Sequence, residues 1–86
     1  MIPLQDLLNR IRWDRDFGKG RFELGYYDRI EERIITVPWQ EVILSEGDHF
    51  AFQLIGPEGE SFSVPFHRVR RIYKDGQLIW DREKKA

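Results

Sequence analysis

Apolar positions along the chain follow two rhythms. Leu4, Leu7, Leu8 and Ile11 recur at i, i+3, i+4 and i+7, which is one stripe of an α-helix. Gln5, Asp6, Asn9, Arg10 and Arg12 take the other faces, and Pro3 suits a first turn whose N–H groups have no helical partner. Asp6 near the start and Arg10 and Arg12 near the end agree with the helix dipole. The spacing predicts a helix over residues 3–13, with Trp13 in the core, and Gly18 and Gly20 mark a loop after it.

Beyond Gly20 the period falls to two. Residues 21–29 place Phe22, Leu24 and Tyr26 inward and Glu23 and Tyr27 outward, with Gly25 marking a bulge or a close approach. Residues 33–38 form a β-branched strand that Pro38 ends or puts at an edge. Residues 39–44 read as one helical turn. Residues 49–55 put Phe50, Phe52 and Leu54 on one face, and residues 61–66 do the same with Phe62, Val64 and Phe66.

Facial parity fixes the turn between these two strands. A four-residue loop would oppose Phe52 and Ser63 and mix the faces. The three-residue loop Pro57-Glu58-Gly59 opposes Leu54 with Phe62, Phe52 with Val64 and Phe50 with Phe66. It also puts Gly59 where such a hairpin needs a left-handed residue. Residues 70–74 and 77–81 make a last hairpin about Asp75-Gly76. A regular ladder there pairs Tyr73 with Leu78, Ile72 with Ile79, Arg71 with Trp80 and Arg70 with Asp81. Arg71 then lies over the Trp80 ring. The expected fold is α+β: a single domain over residues 1–86, with one N-terminal helix packed on a curled antiparallel sheet or small barrel of five to six short strands.

Composition narrows the chemistry. The 86 residues include no cysteine, which removes disulfides, thiolate metal sites and a cysteine nucleophile. No apolar run has the roughly 18–20 residues that span a bilayer. The first residues lack the basic start and apolar stretch of a signal peptide. A cytoplasmic protein without a membrane partner is expected. Net charge is only −1 but unevenly spread: residues 22–66 hold two basic and nine acidic side chains, residues 67–86 seven basic and three acidic. This split can hold a local anion site, or the charges simply scatter over a solvated surface.

No catalytic constellation emerges. His49 and His67 are isolated, and Ser45, Ser61 and Ser63 have no base near them in sequence. The two histidines could join Asp28 or Asp48 at a metal, but no spacing supports it, so no metal or cofactor is expected. His67-Arg68 follows Pro65-Phe66, where a strand gives way to a bend that can turn two polar side chains toward a ligand. Histidine can donate to phosphate and arginine can bind it through two parallel bonds. The plainer alternative is that His67 caps the bend while the Arg68 stem covers apolar surface. At Asp28-Arg29, Arg29 could add a cation that Asp28 orients, or the pair could be a strand-end salt bridge. Rings beside these cations suit nucleic acid, because rings stack on bases.

Taken together, Leu8-Asn9-Arg10-Ile11-Arg12-Trp13-Asp14, Leu24-Gly25-Tyr26-Tyr27-Asp28-Arg29, and Val64-Pro65-Phe66-His67-Arg68-Val69-Arg70 with Asp75-Gly76 and Ile79-Trp80 resemble the RNA cyclic-group end recognition domain family. The match runs in order over nearly the whole chain. The resemblance implies a non-catalytic module for phosphorylated or cyclic-phosphate RNA ends in RNA repair or processing, with Arg10, Asp28, Arg29, His67, Arg68 and Arg70 as polar motif positions and Trp80 as the characteristic ring. On this reading His67, Arg68 and Arg29 hold phosphate oxygens and Arg10 or Arg70 assists. Tyr27, Tyr73 or Trp80 stacks on the terminal base. The alternative is a protein-interaction or scaffold domain, or a homodimer, built on the aromatic face of the last hairpin. A phosphoesterase using His67 as acid or base is a third.

Overall fold

The computed structural model describes residues 2–45, 47 and 50–82. Helix α1 (Leu4–Trp13) buries the stripe Leu4, Leu7, Leu8 and Ile11. Asp14 ends it: its N–H donates to Arg10 O, and its carboxylate accepts the N–H groups of Asp16 and Phe17 at 3.0 and 3.1 Å. The Phe17 N–H, aided by those of Asp16 and by Arg10, holds this carboxyl below its ordinary range. Trp13 is not core; it is 73% exposed, with the Arg12 guanidinium 5.1 Å from its ring centroid. Two positions past Ile11, it lies roughly 200° around the helix from the buried stripe.

Six strands follow in two sheets: β1 (Phe22–Asp28), β2 (Arg33–Pro38), β3 (Ala51–Ile55), β4 (Ser61–Pro65), β5 (Val69–Lys74) and β6 (Gln77–Asp81). Short 3₁₀ turns sit at Phe17–Lys19, Trp39–Glu41 and Phe66–Arg68. The larger sheet has the order β2-β1-β5-β6, all antiparallel, and the smaller is β3-β4. An Ile43–Gln53 bridge joins residue 43 to β3. No barrel closes, so the α+β expectation holds as two sheets rather than one curled one. One core unites α1 with Phe22, Leu24 and Tyr26 of β1, Phe52, Leu54, Val64 and Phe66 of the small sheet, and Val69, Ile72 and Trp80. Phe52 is its centre, 6.4 Å from the Tyr26 ring and 5.5 Å from that of Phe66.

The β3–β4 register is the one parity requires: Phe52 opposes Val64 and Leu54 opposes Phe62. Gly56 and Glu60 close the loop with a 2.7 Å bond, and Gly59 takes φ +85°. The expected start of this strand at His49 lies outside the described residues. Phe66 N donates to Phe50 O as the extended register requires, yet the Phe50 ring is 83% exposed and Phe62 is also exposed. The core stops at Phe52, because a domain this small has too little polar surface to keep every apolar side chain inside.

The last hairpin departs from the regular ladder. Asp75 and Gly76 have φ of +52° and +82°, as a two-residue hairpin turn demands, and Tyr73 opposes Leu78. The register then shifts: Ile72 faces Trp80 and Arg71 faces Asp81. Ile79 is left exposed, and Trp80 turns inward to 5% exposure. The one-residue shift exchanges the two side chains between faces. It buries the larger ring, whose Nε1–H donates to Ile2 O at 2.9 Å. The guanidinium over Trp80 is that of Arg82, at 5.1 Å, and not that of Arg71.

A second bulge marks β1 against β5. Gly25 pairs with Arg71, Tyr26 with Val69, and Arg70 is the extra residue. Gly25 also meets the close approach expected of it: a Cβ there would lie 3.0 Å from Ile34 Cγ2.

Two outcomes test this core. Trp80→Phe removes the indole donor and part of the packing, and should cost about 1–3 kcal/mol in urea unfolding. Burial, with Asp28 nearby, raises the Tyr26 pKa above its ordinary 10.0. The unfolded state therefore loses this proton first, so stability is full below about pH 10 and falls as pH rises through the folded value. Tyr26→Phe should flatten that alkaline loss; equal slopes of urea midpoint against pH in the two proteins would refute the assignment.

Candidate nucleic-acid interface

Pro65 ends β4 with φ −61°, and Phe66–Arg68 closes a single 3₁₀ turn in which Val69 N–H donates to Phe66 O. Buried Phe66 anchors the turn, while His67 is exposed and Arg68 half-exposed. Such a turn leaves carbonyls outside any ladder, and they need donors. Two arginines supply them. Arg82 Nε donates to Val69 O at 2.8 Å and its Nη2 to Phe66 O at 3.3 Å. Arg70 Nη1 donates to His67 O at 2.7 Å. Arg70 also lies 5.9 Å from the Tyr27 ring centroid. Burial and the neighbouring Arg70 charge both lower the Arg82 pKa, yet a guanidinium stays charged at neutral pH. Two like charges are thus pinned near one another by backbone carbonyls, on a bend that carries a third cation and an imidazole.

The end of β1 completes the neighbourhood. Beyond the Tyr26–Val69 pair, β1 runs alongside the turn at residues 66–68. The Asp28 carboxylate accepts the N–H groups of Ile30 and Glu31 at 2.8 and 3.1 Å. It therefore shapes the β1–β2 turn that displays Arg29, an exposed side chain, and so acts on Arg29 through the backbone.

Of the residues singled out in sequence, His67, Arg68, Arg70, Tyr27, Asp28 and Arg29 come to this one end of the sheet. Three do not. Arg10 lies at the opposite end of β1, its guanidinium 4.1 Å from the Phe17 ring centroid and 3.7 Å from Asp14. Phe17 in turn packs on Phe22, at the start of β1. Trp80 is in the core, which removes it both as a stacking face and as the centre of a protein-docking surface. Tyr73 opposes Glu23, four residues along β1 from Tyr27, or about 13 Å. Arg82 is the member sequence reading missed. Its signal is its i+2 spacing from Trp80, which in a strand puts both on one face.

The chemistry on offer is anion binding. Guanidinium groups, an imidazole and a phenol ring match phosphate oxygens and an adjoining base. Among the described residues no group of three His, Cys, Asp or Glu side chains could hold a metal ion. No helix of the described residues is long and apolar enough to cross a membrane.

No solved structure matches the chain. A family model matches residues 1–82, so it takes in α1, both sheets and Arg82. The chain belongs to the family of the MJ1316 RNA cyclic group end recognition domain.

Proposed function

We propose that this chain is a non-catalytic RNA-binding module that grips a phosphorylated or cyclic-phosphate RNA end at the bend after β4. Arg68, Arg70 and His67 take the phosphate oxygens, Arg29 reaches in from the β1–β2 turn, and Tyr27 stacks on the terminal base. The observation that carries this reading is the pair of guanidiniums, Arg70 and Arg82, fixed on the carbonyls of the turn that holds His67 and Arg68. The family's name points the same way. Binding is favoured over turnover because among the described residues the site has one imidazole, and the Asp28 carboxylate is committed to backbone N–H groups. Such a grip suits RNA repair or processing, where ends of this kind arise.

Fluorescence anisotropy with RNA oligonucleotides ending in 2′,3′-cyclic phosphate, 3′-phosphate or hydroxyl is the direct test. The phosphorylated ends should bind more tightly, with log affinity falling against log salt at a slope near −2 for about three contacts. Equal binding of all three ends sinks the proposal. His67→Ala and Arg68→Ala should each cost roughly tenfold on phosphorylated ends and little on the hydroxyl end. Arg82→Lys keeps the charge but loses the fork that spans two carbonyls. It should weaken phosphorylated-end binding although Arg68 and His67 remain; unchanged affinity would show that the turn does not depend on Arg82.

A further inference from the structure

A cleft of about 1050 Å³ opens at the other end of β1, between the loop before it, the 3₁₀ turn after β2 and the β5–β6 turn. Trp39 and Pro38 form an apolar wall, Gln40 offers an amide, and Lys19 and Arg21 stand on the loop side. The loop wall is fixed by the backbone. Arg21 N donates to Asp75 Oδ1 at 2.9 Å, and Asp75 N donates to Arg21 O at 2.7 Å. Gly18 lets the loop close on α1, since a Cβ there would lie 2.5 Å from Ile11 O. Phe17 is held between the Arg10 and Lys74 cations, 4.1 and 4.6 Å from its ring centroid. The Arg21 side chain is exposed, and among the described residues Lys19 makes only an exposed 3.9 Å pair with Asp16, so both can turn to a ligand. Of the carboxylates here, Asp75 accepts from Arg21 N, while Glu23 lines the cleft and offers an acceptor of the kind an exocyclic amino group takes.

We infer that this cleft is a second nucleotide subsite, which takes a base on Trp39 and its phosphate on Lys19 and Arg21, from the same RNA strand whose end sits at the His67-Arg68 bend. The inference rests on the end-binding reading. Glu23, which lines the cleft, is four residues along β1 from Tyr27, about 13 Å. At the roughly 3.4 Å per nucleotide of a stacked strand, that span suits a run of about four nucleotides. The protein then recognises an end only together with the unpaired strand leading to it.

The test uses the full chain and RNA oligonucleotides of two, four, six and eight residues, each with a 3′-phosphate and with a 3′-hydroxyl, followed by anisotropy. Affinity should rise about tenfold between two and six residues and then level off. A Lys19→Ala/Arg21→Ala double variant should lose that rise and keep the preference for the phosphorylated end. Both side chains are surface groups and the hydrogen bonds of residue 21 are made by its backbone, so the fold is retained. In a Trp13→Phe protein, which lacks the exposed tryptophan of α1, six residues should quench fluorescence and two should not. Affinity independent of length, or a length dependence that survives in the double variant, overturns the inference. Loss of the end preference with the length dependence intact overturns the end-binding reading instead and leaves the cleft as a single-strand site.

Discussion

The close packing at Gly25 governs the architecture. β1 is an inner strand of the larger sheet, and at residue 25 its two neighbours converge on a position with no side chain: Ile34 of β2 from one side and Arg71 of β5 from the other. A Cβ there would lie 3.0 Å from Cγ2 of the β-branched Ile34, which would have to shift to make room. The register slips directly after this point, which leaves Arg70 as the extra residue of β5 against β1, and its guanidinium donates to the His67 carbonyl. A position without a side chain in the middle of the sheet thus sets the geometry of guanidinium groups at its end.

Parity explains what could be read in advance and what could not. The helix stripe, the inward residues of β1 and the β3–β4 hairpin each answer to a periodicity; the four-residue loop would have opposed Phe52 and Ser63 and mixed the faces. The last hairpin has two nearly equivalent solutions, because Ile79 and Trp80 are adjacent and both apolar. The choice between them depends on a carbonyl at Ile2, some eighty positions away, that accepts the indole proton. No local rule carries that information. Trp13 differs: its apolar ring suggests burial, but its angular position on α1, which the spacing carries, assigns it to solvent.

The candidate site divides along the same line. His67-Arg68 and Asp28-Arg29 were legible as pairs at bends, and antiparallel pairing of β1 with β5 brings their segments together. Arg10 carried the same chemical promise, but the first turn of loop after α1 holds it against Phe17 at the far end of the strand. Arg82 had only its spacing from Trp80 to announce it. Its role comes from carbonyls at the two ends of the bend, Phe66 O and Val69 O, which come within reach of one guanidinium only once the chain has folded. Residues that contact a ligand can be suspected from their type, whereas those that hold the contacting residues are found from the backbone groups they satisfy.

The turn at Phe66–Arg68 is also the covalent passage from the small sheet to the large one. β3 and β4 hydrogen-bond chiefly to each other and form no ladder with the strands of the larger sheet. Their hairpin is held to β1, β2, β5 and β6 by the shared core rather than by a ladder, so it opens only by exposing Phe52, Leu54, Val64 and Phe66. A ligand seated on the turn would bind only the closed arrangement and so draw that equilibrium toward closure by mass action. Occupancy at the bend should then appear as slowed amide exchange along β3 and β4, in a part of the molecule that the ligand does not touch.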